Sequence, residues 1–63
     1  MYQLQLFDFD KQTVLKVFNQ KPTSNELRLA LGDFAEHTDV LLQKHEAVVT
    51  TGVWLKLVEV NHD

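Results

Sequence analysis

The chain has 63 residues, a net charge of −3 and no cysteine. A chain of this length forms one domain, whose core supplies only about 3–5 kcal/mol of stability. Without thiols, disulfides and thiolate metal sites are excluded, and the mildly acidic balance argues against a dedicated binder of the nucleic-acid backbone. We therefore expect a single domain over residues 1–63, stabilised by close packing or by association.

The composition also bears on where the protein acts. Residues 1–10 carry acids instead of a basic segment, so no signal peptide is expected there. No window approaches the roughly 20 apolar residues that span a bilayer. Together with the missing cysteines, these observations predict a cytoplasmic protein that does not contact a membrane.

Two runs near the start of the chain predict an antiparallel β-hairpin. Residues 2–9 alternate in polarity, and residues 12–19 are rich in β-branched and aromatic side chains. A two-residue loop at Asp10-Lys11 places Leu6 opposite Leu15. The side chains then expected on one face of the hairpin are Leu4, Leu6, Leu15 and Val17.

The clearest local signal is the start of an amphipathic helix. Thr23 is a good N-cap, and Glu26, three residues later, completes a capping box. Gly32 weakens the helix interior by about 1 kcal/mol relative to alanine. A helix over about residues 23–36 follows from the spacing of the apolar side chains Leu27, Ala30, Leu31 and Phe34.

The segment after this helix is ambiguous. Residues 38–47 favour a short second helix, continuous with the first after a kink, and a strand over residues 39–45 is the alternative. Val48 and Val49 begin a β-rich tail, in which Thr51-Gly52 indicates a turn or bulge, and residues 53–60 alternate as a final strand. These elements predict a two-layer α+β fold, in which a hairpin and a C-terminal strand form a small sheet with the helix on one face.

The strands are apolar on both faces, and one helix covers only one of them. A sheet face with four aromatic side chains exceeds the apolar patch that soluble monomers usually expose, and such patches mark interaction sites. We expect it to bind a second copy of the chain or another protein, with single-stranded nucleic acid stacking on the aromatic rings as a further alternative. The alternative in which the segment after the helix covers this face also stays open. The candidate partner-binding residues are Phe7, Phe9, Val14, Phe18, Trp54, Val58 and Val60.

Candidate chemical groups are sparse. Asp33 and His37 lie four residues apart, but two ligands without a third make a weak metal signal, and a histidine near a helix C-terminus is explained by the helix dipole. Asp8 and Asp10 are ordinary turn formers. No nucleophile motif or phosphate-binding loop occurs, so we expect no enzyme, no cofactor and no metal.

The expected function is therefore a small adaptor, regulator or inhibitor that acts through protein–protein contacts. An alternative is an acidic inhibitor that imitates nucleic-acid phosphates. The side chains available for such a mimic are Asp8, Asp10, Glu26, Asp33, Glu36, Asp39 and Glu46, which Lys11, Arg28 and Lys44 interrupt.

Overall fold

The computed structural model describes residues 1–60. The elements in chain order are β1 (Tyr2–Asp8), β2 (Lys11–Phe18), α1 (Ser24–Leu31), a 3-10 segment (Gly32–His37), α2 (Thr38–Lys44), β3 (Glu46–Thr50) and β4 (Val53–Glu59). The four strands form one antiparallel sheet in the order β2-β1-β4-β3. The predicted α+β architecture is confirmed. The sheet consists of two hairpins, β1–β2 and β3–β4, and β1 pairs with β4 at its centre.

The first helix begins where the capping pattern predicts. The Thr23 N–H donates to Glu26 Oε1 at 3.0 Å, and the Glu26 N–H donates to Thr23 Oγ1 at 3.2 Å. Thr23 itself has extended backbone angles, as an N-cap requires. The capping box therefore satisfies two N–H groups at the entrance to α1.

Glycine divides the predicted helix. Gly32 has φ 58° and ends α1 four residues before the predicted Glu36. A residue without Cβ adopts this left-handed region at no steric cost. The chain then makes a 3-10 turn, in which Phe34 departs from helical angles, and continues into α2. The second helix after a kink is confirmed, and the alternative strand over residues 39–45 is wrong.

The register predicted for the first hairpin is wrong. Asp8 pairs with Lys11, so the two-residue loop is Phe9-Asp10 rather than Asp10-Lys11, and Leu6 lies opposite Thr13. Phe9 has φ 54°, and its N–H donates at 2.7 Å to the carbonyl of Gly52, in the other hairpin's turn. Pairing with β4 therefore draws Phe9 into the turn.

A β-bulge then exchanges the faces of the second half of β2. The register shifts where Leu4 pairs with Lys16 and Gln5 pairs with Val14, which leaves Leu15 as the extra residue. Because side chains alternate with period two, one extra residue reverses every later side chain. Val17, predicted to lie under the helix with Leu15, is 45% exposed, and Leu15 is 37% exposed.

The core lies between the helices and one face of the sheet. β1 and β4 supply Leu4, Leu55 and Leu57, and these pack against Leu27 of α1 and Leu41 of α2. The remaining buried apolar side chains are Phe18, Leu31 and Ala47. The helical segments therefore cover a single face of the sheet.

Candidate functional site

No helix of residues 1–60 lies on the opposite face of the sheet. Leu4 is buried under the helices, so its neighbours Gln3 and Gln5 point to the other side. Cross-strand partners share a face, and the register therefore defines the whole surface. We call this surface the open face, and it consists of Gln3, Gln5, Phe7, Gln12, Val14, Val17, Glu46, Val48, Trp54, Lys56 and Val58.

An aromatic pair lies on the two central strands of the open face. Phe7 of β1 and Trp54 of β4 are cross-strand partners, and their rings stack at 5.3 Å between centroids with 5° between planes. The Lys56 Nζ lies 5.4 Å from the Phe7 centroid, a cation–π distance. The two rings therefore form one continuous aromatic surface at the centre of the open face.

A glutamine pair lies beside the aromatic rings. Gln5 Nε2 donates to Gln3 Oε1 at 3.0 Å, and Gln5 is only 8% exposed. Its side chain is thus covered although no helix reaches this side. Valines surround this centre, with 47% of Val14 and 74% of Val48 exposed. The open face is therefore apolar around a small amide centre.

The predicted partner-binding residues fall into two groups. Phe7, Val14, Trp54 and Val58 lie on the open face, as the sequence alternation indicates. The remaining three are Phe9, Phe18 and Val60: Phe9 and Phe18 lie off this face, and Val60 lies just beyond the end of β4.

The physical reasons for these three differ. Phe18 is 7% exposed in the helix-side core, because the bulge turns it there. Phe9 lies in the turn and is 67% exposed. Val60 follows β4, half-buried, and its N–H donates to the Met1 carbonyl at 2.7 Å, which continues the β1–β4 register by one residue and keeps Val60 on the side of Val58.

The sequence also missed members of the open face. Val17 was assigned to the other face, and only the bulge, which carries no clear sequence signal, places it here. Val48 belongs to β3 and was not recognised as a surface residue. Its cross-strand partner is Trp54, so the pairing of β3 with β4 would have revealed it.

The candidate chemical groups do not form a cluster. Within residues 1–60, no three histidine or carboxylate side chains converge on a point that could hold a metal ion. His37 Nε2 lies 3.6 Å from Glu36 Oε1, at the end of the 3-10 segment. His45 has φ 65° and caps the C-terminus of α2. His62 lies outside the described residues.

The acids proposed for a phosphate mimic are spread over the fold. Asp8 ends β1, Asp39 lies in α2 and Glu46 begins β3. The Glu26 carboxylate accepts the Thr23 N–H, and this hydrogen bond lowers the pKa of Glu26. At least one of these carboxylates therefore has a structural role in the capping box.

Comparison of the chain with protein-family models, with curated proteins and with solved structures finds no match. None of the helices in the described part of the chain is long and apolar enough to cross a bilayer. The open face is thus the feature from which a function has to be argued.

Proposed function

We propose that this chain is a small non-enzymatic interaction module, acting in the cytoplasm, and that its open face binds a second copy of itself. The supporting observation is the stacked Phe7–Trp54 pair on a sheet face that no helix covers. Large aromatic side chains dominate the energetics of protein interfaces. A second copy is the commonest partner of a small chain, and it would extend a core that is limited by length.

The size of the open face sets the expected affinity. Four strands spaced about 4.8 Å apart and seven residues rising about 3.3 Å each give a footprint of roughly 450 Å². A standard interface covers about 800 Å² per partner. An open face of this size indicates a weak dimer that dissociates on dilution, and a dissociation constant in the micromolar range is part of the proposal.

The polar groups of the open face do not prevent this packing. The Gln3 and Gln5 amides already bond to one another, which reduces the cost of removing them from water. Lys56 has a long aliphatic stem, and its ammonium group lies near the Phe7 ring. Two sheets about 10 Å apart can interdigitate the surrounding valines.

The experiment is a measurement of mass against concentration by light scattering, with two matched variants. Val14→Lys puts a charge on the open face, whereas Leu29→Lys puts the same charge on α1, where the side chain is 84% exposed. We expect the wild-type chain and Leu29→Lys to approach a dimer mass at about 100 µM, and Val14→Lys to stay a monomer. A monomeric wild-type chain at this concentration contradicts the homodimer and leaves a different protein as the partner.

One observation favours a second candidate, a single-stranded nucleic acid. Lys56 lies beside stacked aromatic rings, and this combination is typical of surfaces that bind nucleic-acid bases. The net charge of −3 opposes it, because phosphate contacts supply much of such affinity. Trp54 also covers one face of Phe7. Quenching of Trp54 fluorescence by an oligonucleotide, lost at high salt, would support this candidate.

A further inference from the structure

The hydrogen bonds between β3 and β4 determine which residues of β3 direct their backbone groups towards its outer edge. The Leu57 N–H donates to the His45 carbonyl at 2.8 Å, which places His45 and Leu57 at a hydrogen-bonding position of the β3–β4 ladder, although the His45 N–H itself donates to the Leu41 carbonyl. Such positions alternate along antiparallel strands. Ala47 is therefore the next residue of β3 to bond to β4. Glu46 and Val48, on either side of Ala47, direct their N–H and C=O groups away from β4.

The hydrogen bonds between β4 and β1 lead to the same assignment. The Val60 N–H donates to the Met1 carbonyl and the Phe9 N–H to the Gly52 carbonyl, both at 2.7 Å, in the register of the β1–β4 ladder. The β4 residues that bond to β1 are consequently the even-numbered ones, which lie opposite Glu46 and Val48. No described strand pairs with the outer edge of β3.

An open groove of about 490 Å³ follows this edge. Val40 and Lys44 of α2 form one wall, Val48 and Trp54 contribute the apolar part of the other, and Glu46 also lines it. Val48 is 74% exposed. The groove thus combines free backbone groups with apolar walls, which is the arrangement that β-strand addition uses.

The two edges of the sheet differ in regularity. In β2 the bulge at Leu15 interrupts the middle of the strand, and bulges impede pairing with a further strand. In β3 the register shifts only after Val48, so residues 46–48 remain regular. The edge of β3 is therefore the better template for an additional strand.

The charged side chains of the groove indicate which kind of peptide would bind there. Within the described residues, neither Lys44 nor Glu46 forms an ion pair, although both line the groove. Lys56 also lines the groove as the cross-strand partner of Glu46, but its Nζ lies 5.4 Å from the Phe7 ring centroid and does not pair with Glu46. Lys44 ends α2 just before β3 begins, so it lies beside the start of this edge. An added antiparallel strand, like every pair in this sheet, would reach Lys44 with its C-terminal end.

We propose that the edge of β3 binds an extended peptide that carries two apolar residues, then a basic and an acidic residue. The first apolar residue lies opposite Val48 on the side of Trp54, and the second points towards Val40. The basic residue lies opposite Glu46, and the acidic residue lies beside Lys44. Backbone hydrogen bonds fix the strand, and the two charges fix its register.

The test uses acetyl-Thr-Val-Val-Lys-Glu-Thr-amide and follows the backbone amides of the ¹⁵N-labelled chain by NMR. The Glu46 and Val48 amides should shift and become protected from exchange. N-methylation of the first valine and the lysine removes the two donors aimed at β3 and should weaken binding at least about tenfold. N-methylation of the second valine, whose N–H points to solvent, should leave affinity unchanged.

Charge reversal gives a second test that leaves the backbone intact. The peptide with Glu-Lys in place of Lys-Glu should bind about three- to tenfold more weakly to the wild-type chain. The double variant Lys44→Glu/Glu46→Lys should reverse this preference. Equal binding of all the peptides overturns the proposal. So does protection of the Val48 amide that rises with protein concentration without peptide, since a second copy would then occupy this edge.

Discussion

Neighbouring residues of β2 provide the sharpest test of the observed register. Phe18 is 7% exposed in the core and Val17 is 45% exposed on the open face, whereas the hairpin without a bulge places them the other way round. Removing most of a buried phenylalanine, as in Phe18→Ala, costs about 3–5 kcal/mol, which is as much as a domain of this size usually has. Phe18→Leu retains most of the volume and should cost about 1–1.5 kcal/mol.

Val17→Thr is the matched variant, because threonine has nearly the same shape and also favours strands. On the open face its hydroxyl remains hydrated, and we expect a change within about 0.5 kcal/mol. If residue 17 instead lay under the helices, burying the threonine hydroxyl would cost about 1–3 kcal/mol. The assay is urea denaturation followed by Trp54 fluorescence at a concentration where the chain is monomeric, since association adds stability. A larger loss for Val17→Thr than for Phe18→Leu would refute the bulge.

Three further predictions concern local interactions. Thr23→Ala removes the hydroxyl that accepts the Glu26 N–H, and in urea denaturation it should lower the free energy of unfolding by about 0.5–2 kcal/mol. A separate hydrogen bond from the Thr23 N–H to the Glu26 carboxylate lowers the pKa of Glu26, so the stability that this bond contributes is lost as the pH falls through the folded pKa. The urea midpoint of Glu26→Gln should therefore change less with acid than that of the wild-type chain. Hydrogen bonding to Glu59 raises the pKa of Tyr2, so the stability that this bond contributes is lost as the pH rises through the folded pKa. Glu59→Gln should therefore move the absorbance titration of this single tyrosine to lower pH. Gly52→Ala should cost about 1–2 kcal/mol in urea denaturation, since Gly52 has φ 78° and an added Cβ would lie 2.6 Å from a ring carbon in the facing turn.

Local sequence signals predicted the features that depend on neighbouring residues. The capping box at Thr23 needs only a hydroxyl and a carboxylate three residues apart, and its hydrogen bonds are present. The alternation of residues 53–60 likewise gave the last strand and its faces. Strand order and the pairing of β1 with β4 depend on contacts between distant segments, which periodicity does not encode.

The errors in the first hairpin have one origin in such a distant contact. The Phe9 N–H bonds to Gly52, more than forty positions away in the sequence, and this places Phe9 in the loop. The chain then accommodates one surplus residue at Leu15. Because a bulge exchanges faces, a single unpredicted residue moved Phe18 from the candidate interface to the core. The predicted set thus departs from the observed open face at Phe18, beyond the bulge, and at Phe9, in the turn.

The open face binds through side chains, whereas the edge of β3 binds mainly through backbone groups, so different variants test the two proposals. The open face contributes side chains, so Val14→Lys acts on it without altering any backbone donor of β3. The edge contributes the N–H and C=O groups of Glu46 and Val48, which N-methylation of the peptide tests without changing the protein. Glu46, Val48 and Trp54 belong to both surfaces, since their side chains lie on the open face and also line the groove along the edge. A dimer that buries the open face would cover these shared side chains, so we expect it to weaken peptide binding. Unchanged peptide binding by the dimer would show that the backbone groups of the edge act without them.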